Sequence, residues 1–171
     1  NKMDTKKDKK ATGKEDKNQK EEKKPVDPRK ILLITGANRG IGYTVVEKLL
    51  EKKAKIRIIM TARNDELGQE AYKTLCEKYP EEVERFFYHQ LDIVDEASIT
   101  TLIDYIKKNF KKFDYLINNA AYSSKGTDFT EEICENTFKV NFNGTINLTD
   151  KLLPIMYKSG KIIFLSSKSG T

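Results

Sequence analysis

From residue 30 onward the chain alternates between short continuous apolar runs and longer stretches in which apolar residues recur every three or four positions. The runs Lys30–Thr35, Lys55–Thr61, about Arg85–Leu91, Tyr115–Asn118 and Lys161–Leu165 predict strands covered on both faces, as in a parallel sheet. The stretches between them predict helices. The first runs from Gly40 to about Lys53, with Ile41, Val45, Val46, Leu49 and Leu50 facing inward. The second covers about Asp65 to Tyr79, with Leu67, Ala71 and Leu75 four apart, and Pro80 ends it. A third opens on an Asp95 cap and sets Ile99, Leu102, Ile103, Ile106 and Phe110 on one stripe; a long fourth spans about Thr130–Tyr157. Strands and helices that alternate in this way make an α/β fold, a doubly wound parallel sheet, with its ligand at the C-terminal edge of the strands beside strand one.

Residues 1–24 break this pattern. They contain ten lysines, six acids, no aromatic residue and only Met3 as a larger apolar side chain, too little to offset the entropy of ordering. This tail is expected to be disordered, with residues 25–171 forming the one folded domain. The tail also carries +4 of the net charge of +6, so the body is near neutral and offers no basis for nucleic-acid binding. No run of about 18 apolar residues occurs to span a membrane. Cys76 and Cys134 lie in separate helical stretches without metal-ligand spacing, as expected of reduced thiols in a cytoplasmic protein, and no metal site is expected. His89, the single histidine, stands in a strand-like run without a catalytic partner and reads as structural.

The chemistry concentrates at strand ends. After strand one comes Thr35-Gly36-Ala37-Asn38-Arg39-Gly40-Ile41-Gly42. Its three glycines allow positive φ and a close approach of backbone N–H groups to a pyrophosphate, and the helix that follows presents its positive end. Such a turn alone is weak evidence for a nucleotide. After strand two, where NAD-binding sheets place a carboxylate for the ribose 2′-hydroxyl, the chain reads Thr61-Ala62-Arg63-Asn64. A carboxylate would repel a 2′-phosphate, whereas Arg63 can grip one bidentately, with Arg39 as a second cation on the same side. That pair favours NADP over NAD.

With these landmarks the chain resembles the short-chain dehydrogenase/reductase family, and within it the carbonyl reductases. The motifs recur in family order over residues 30–171: Thr35–Gly42, Thr61-Ala62-Arg63, His89-Gln90-Leu91-Asp92-Ile93, Asn118-Asn119-Ala120-Ala121, Asn141 in Val140–Thr145, and Leu165-Ser166-Ser167. The resemblance implies a Rossmann domain and NADPH-dependent reduction of a small ketone or aldehyde by hydride transfer. Gly36, Asn38, Arg39, Gly40, Ile41, Gly42 and Arg63 would hold the phosphates, with Asp92 and Ile93 at the adenine. The backbone of Asn119 and Ala120 would line the adenosine ribose, and Asn118 would tie strand four to its neighbours. Asn141 would distort its helix and hold a water of a proton relay. Ser167, with Ser166 as the alternative, would donate to the substrate carbonyl. Ala121 stands where the family usually has glycine, which slightly narrows that loop.

The main departure is catalytic. The family's Tyr-x-x-x-Lys pair lies on the helix after strand five, and this sequence reaches Thr171 before such a helix. Tyr157 and Lys161 have the spacing but precede strand five, with Gly160 between them, so they are expected to be coincidental. Without the following helix, strand five's outer edge would be unpaired, which points to an incomplete chain or to a partner that caps it. The alternative is a nucleotide-binding or scaffold protein without redox chemistry. Both a monomer and a homodimer fit the resemblance, and the substrate stays open, since only Ala121–Thr127 would contribute to its wall.

Overall fold

The computed structural model describes residues 28–124 and 130–167; the expected disorder of residues 1–24 lies outside them. Five strands, β1 (Lys30–Ile34), β2 (Ile56–Ala62), β3 (Phe86–Gln90), β4 (Phe113–Asn118) and β5 (Met156–Phe164), form one parallel sheet in the order β3-β2-β1-β4-β5. The helices α1 (Gly40–Glu51), α2 (Asp65–Lys78), α3 (Glu96–Asn109), α4 (Glu131–Thr137) and α5 (Thr145–Leu152) connect them.

The period-two alternation of strand side chains sorts the core into two layers. On one face Leu32, Ile34, Ile58 and Met60 pack with Val46 and Leu50 of α1 and with Ala71 and Leu75 of α2. On the other, Ile31, Leu33, Ile59 and Leu116 pack with Ile99, Leu102 and Ile106 of α3 and with Leu148 and Leu152 of α5. Both sides of the sheet are thus covered at β1, β2 and β4, as their continuous apolar runs require, whereas most of β5 is exposed, contrary to expectation. Asp95 caps α3 as expected, accepting from the N–H groups of Ala97 and Ser98 at 3.2 Å each. Two expected inward residues instead face out: Ile41 is 66% and Leu67 52% exposed. Both sit in the first turn of their helices, beyond the edge of the sheet that would cover them.

Several boundaries differ from the sequence-based expectation. Arg85 closes a 3₁₀ turn, Pro80–Arg85, rather than opening β3. Its buried guanidinium pairs with Glu82 and donates to the carbonyls of Ile56 (3.0 Å) and Leu49 (3.3 Å), so it serves as a tie between elements. β4 begins two residues earlier than expected, because Asp114 is held in the sheet: its buried carboxylate accepts from the N–H of Ile31 at 2.9 Å and from Lys30 Nζ at 2.8 Å.

The expected long helix over 130–157 is not one helix. It is α4, a π-helical segment Phe138–Gly144, α5 and a 3₁₀ turn Leu153–Ile155. Pro154 has no N–H for the α-helical ladder and marks its end, so the chain enters β5 at Met156 through an irregularity opposite Phe113 and Tyr115. β5 is one of the two edge strands of this sheet, and Ile163, Phe164 and, just after it, Leu165 are about half exposed. Phe138 and Phe142 on the π segment are also exposed.

The turn after β1 needs glycine twice, at Gly36 with φ +63° and Gly40 with φ +58°. Their surroundings differ: a Cβ on Gly36 would stand 2.8 Å from the Cα of Ala120, whereas one on Gly40 would meet nothing within 4 Å. Each Gly→Ala change therefore carries the left-handed penalty of about 1–2 kcal/mol, and only Gly36→Ala adds a backbone clash. In urea denaturation Gly36→Ala is expected to be the more destabilising of the two; equal losses would contradict this reading of the turn.

Candidate functional site

A cavity of about 530 Å³ opens where the strands end. The turn after β1 supplies Gly36, Asn38, Arg39, Gly40 and Ile41, and the turn after β2 supplies Arg63, with Asn64 and Leu67. Leu91, Asp92 and Ile93 come from the segment after β3; Asn119 to Ser123 come from the segment after β4, and Val140 closes one side. In this sheet order the chain leaves β1 toward β2 and leaves β4 toward β5, and the diverging connections create the crevice.

The two central turns are fastened to each other. Thr35 Oγ1 accepts from the backbone N–H groups of Asn119 (3.0 Å) and Ala120 (2.9 Å). Asn119 Nδ2 donates to the carbonyls of Thr35 and Gly36, at 2.8 Å each. Gly42 completes the joint, because a Cβ there would stand 2.5 Å from Asn119 Nδ2. Gly40 and Ile41, which open α1, line the crevice.

The charge pattern around α1 sets it apart from α2, α3 and α4. Asn64, Asp95 and Thr130 cap those three by accepting from backbone N–H groups, and each carries acids in its first turn. At α1 the N-cap residue Arg39 makes no capping hydrogen bond, and no acid lies in the first turn. Among the described residues, the positive end of α1 has no side-chain cap at Arg39 and no acid in its first turn to neutralise it. Arg39 and Arg63 are both exposed at the rim. Asp92 turns one carboxylate oxygen to the N–H of Val94 at 3.1 Å, and its own N–H donates to Ser98 Oγ at 2.9 Å.

Ten of the residues singled out in the sequence for a nucleotide, Gly36, Asn38, Arg39, Gly40, Ile41, Arg63, Asp92, Ile93, Asn119 and Ala120, line this one cavity. Gly42 lies beneath it as a packing residue. Asn118 differs in detail from expectation: its carbonyl accepts from the N–H of Leu165 at 3.0 Å, but its side chain donates to Thr149 Oγ1 on α5 at 3.0 Å rather than to a strand.

The lining of the cavity does not include Asn141 or Ser167. Asn141 lies inside the π-helical segment, and its amide binds the main chain of Tyr122 at both ends: Oδ1 accepts from the N–H at 2.7 Å and Nδ2 donates to the carbonyl at 2.9 Å. It therefore braces the segment after β4 against the distorted helix. Ser167 is exposed, two residues past Leu165 on the same sheet edge as the cavity. Tyr157 and Lys161 belong to β5, not to a helix, and Tyr157 lies at the opposite end of the sheet with Lys30 Nζ 6.0 Å from its ring centre.

Sequence reasoning missed the side-chain amide of Asn119, Thr35 as the hub that receives it, and the apolar contribution of Leu67. An apolar residue in the first turn of a helix that follows a ligand-binding turn was the available signal for Leu67. The ring of His89 lies 4.8 Å from that of Tyr105. A second hollow, of about 620 Å³ on the β3 edge, is lined by Tyr72, Phe87, Tyr88 and Tyr105. Burial, and then Cys76, pushes the Tyr72 phenol up to about 12, and burial also raises Tyr88 and Tyr105, so these phenols hold their protons near neutral pH. Among the described residues no group of three His, Cys, Asp or Glu side chains could hold a metal ion, and no helix is long and apolar enough to cross a membrane.

Residues 30–171 match the family model for short chain dehydrogenase. The chain is 38% identical over 144 residues to carbonyl reductase [NADPH] 1 of Sus scrofa, covering 82% of this chain and 48% of that protein. It is 31% identical over 160 residues to (+)-neomenthol dehydrogenase of Arabidopsis thaliana, covering 81% and 53%. The chain thus spans about half the length of these curated relatives. Among solved structures, salutaridine reductase from Papaver somniferum superposes with a TM-score of 0.73 at 27% identity, covering 84% of this chain and 59% of that one. With six motifs in order, a β3-β2-β1-β4-β5 parallel sheet and a crevice at its strand ends, the chain belongs to the short-chain dehydrogenase family.

Proposed function

We propose that this chain is the NADPH-binding part of an enzyme that reduces a ketone or aldehyde. The uncapped, acid-free N-terminus of α1, facing a crevice with Arg39 and Arg63 on its rim, carries this reading. The residues present fit the dinucleotide. Gly40 lines the crevice and a Cβ there would meet no protein atom within 4 Å, so its bare backbone leaves room for a ligand to come close, and α1 offers its first N–H groups to a pyrophosphate. The two guanidinium groups suit a 2′-phosphate, and the second carboxylate oxygen of Asp92 suits an adenine amine. Ile41 and Leu67, exposed at the crevice, offer apolar surface to the adenine ring. The curated relatives include carbonyl reductases that use NADPH, in keeping with this reading.

NADPH, when bound, supplies a hydride. The chain's own share of the work is to bind, orient and stabilise. Ser167 donates to the substrate oxygen, where negative charge grows as hydride arrives. Asn141 keeps the π-helical turn open through Tyr122, and the carbonyls of that turn, rather than its amide, hold the relay water. The acid–base pair that completes the reaction is the family's Tyr-x-x-x-Lys motif. We place the protein in the cytoplasm, in keeping with its unpaired thiols Cys76 and Cys134. A second reading is a nucleotide-binding protein without redox chemistry. NADPH binding by the whole enzyme, without ketone-dependent loss of the reduced-nicotinamide absorbance, would select it.

Calorimetric titration is expected to show NADPH binding at least about tenfold tighter than NADH at low salt, with Arg63→Ala narrowing the gap to within about threefold, as the loss of one charge-assisted contact requires. Equal affinities in the unaltered chain would contradict the assignment. By contrast, Asn119→Ala is expected to weaken NADPH and NADH alike, by about tenfold, because it loosens the turn that both share. In carbonyl reduction Ser167→Ala should lower kcat by about a hundredfold and leave NADPH affinity unchanged; an unaltered kcat would remove Ser167 from the mechanism.

A further inference from the structure

The adenosine half of the proposed site is assembled from two separate connections, one after β2 and one after β3. A single side chain joins them. Gln90, the last residue of β3 and the register partner of Ala62, donates from Nε2 to the carbonyl of Arg63 at 3.0 Å. Its Oε1 accepts from Ser98 Oγ at 2.9 Å, and Ser98 Oγ accepts from the N–H of Asp92 at 2.9 Å. Ser98 is itself fixed: it is buried in the first turn of α3, where its N–H donates to the capping carboxylate of Asp95 at 3.2 Å. An unbroken hydrogen-bonded path therefore runs from the Arg63 carbonyl to the backbone of Asp92, anchored in α3.

We propose that Gln90 is a positioning residue for cofactor choice, holding the backbone of Arg63 so that its guanidinium is aimed at the 2′-phosphate. The inference rests on the NADPH reading above and deepens it. Arg63 is exposed and carries a long side chain, so holding it in one direction costs rotamer entropy. Holding its backbone on both sides fixes the direction of its Cα–Cβ bond and so limits the region that the guanidinium can reach. β2 holds the preceding residue, the cap formed by Asn64 holds the following one, and Gln90 holds the carbonyl between them. A ligand without a 2′-phosphate does not use the guanidinium and gains nothing from this arrangement. Loss of Gln90 should accordingly weaken one class of nucleotide and spare the other, which a merely structural contact would not do.

The test uses adenosine 2′,5′-bisphosphate and ADP as probes with the 171-residue chain. Gln90→Met keeps the length and packing of the side chain and removes both hydrogen bonds. It is expected to raise the Kd of adenosine 2′,5′-bisphosphate about three- to tenfold and to change that of ADP less than twofold. In the Arg63→Ala background the same change should have no further effect. Gln90→Asn, which retains the amide but falls one methylene short, should show the same selective loss and serves if the methionine variant folds poorly. Equal weakening of both probes, or an effect that persists without the Arg63 guanidinium, overturns the assignment of Gln90 while leaving the NADPH reading in place. Equal affinity of the unaltered chain for NADPH and NADH, which differ only in the 2′-phosphate, overturns both.

Discussion

The joint between Thr35 and Asn119 is the constraint on which the site depends. β1 and β4 lie side by side at the centre of the sheet, and their chains diverge as they leave it. Diverging turns would open a crevice of indefinite width if nothing crossed it. One threonine hydroxyl and one asparagine amide cross it with four hydrogen bonds of 2.8–3.0 Å, and the absent side chains of Gly36 and Gly42 let the backbones close to contact. The α1 N-terminus is aimed by this joint, and every electrostatic feature of the crevice is measured from it.

Much of this was legible in the residues. The continuous apolar runs identified the strands, most plainly β1, β2 and β4, because a strand buried on both faces has little choice of composition. The stripe Ile99, Leu102 and Ile106 placed α3, since only one face of that helix meets the sheet. The turn glycines were visible because positive φ at Gly36 and Gly40 excludes other residues at little cost only to glycine. Arg63 was visible through the absence of a carboxylate at the end of β2.

What was hidden depends on partners distant in sequence. Nothing local says that the Asn119 amide reaches back 84 residues to Thr35, or that Arg85 satisfies two carbonyls of other elements instead of entering β3. The segment from Thr130 to Tyr157 has helical periodicity throughout, and its breakup into α, π and 3₁₀ pieces follows from Asn141 binding Tyr122 and from Pro154 ending the ladder. Ile41 and Leu67 fit the inward stripe of their helices by spacing alone. They face the crevice because the sheet ends before it can cover them, a fact of tertiary geometry that periodicity does not contain.

The claim that the crevice at the strand ends is the nucleotide site can be mapped directly by backbone amide NMR during titration with NADPH. Shifts are expected to concentrate at Gly36, Arg39 to Gly42, Arg63, Asp92 and Asn119, with the amides of Tyr72, Phe87 and Tyr105 around the β3-edge hollow unmoved. Shifts centred on that hollow, or none at the turn after β1, would contradict the account.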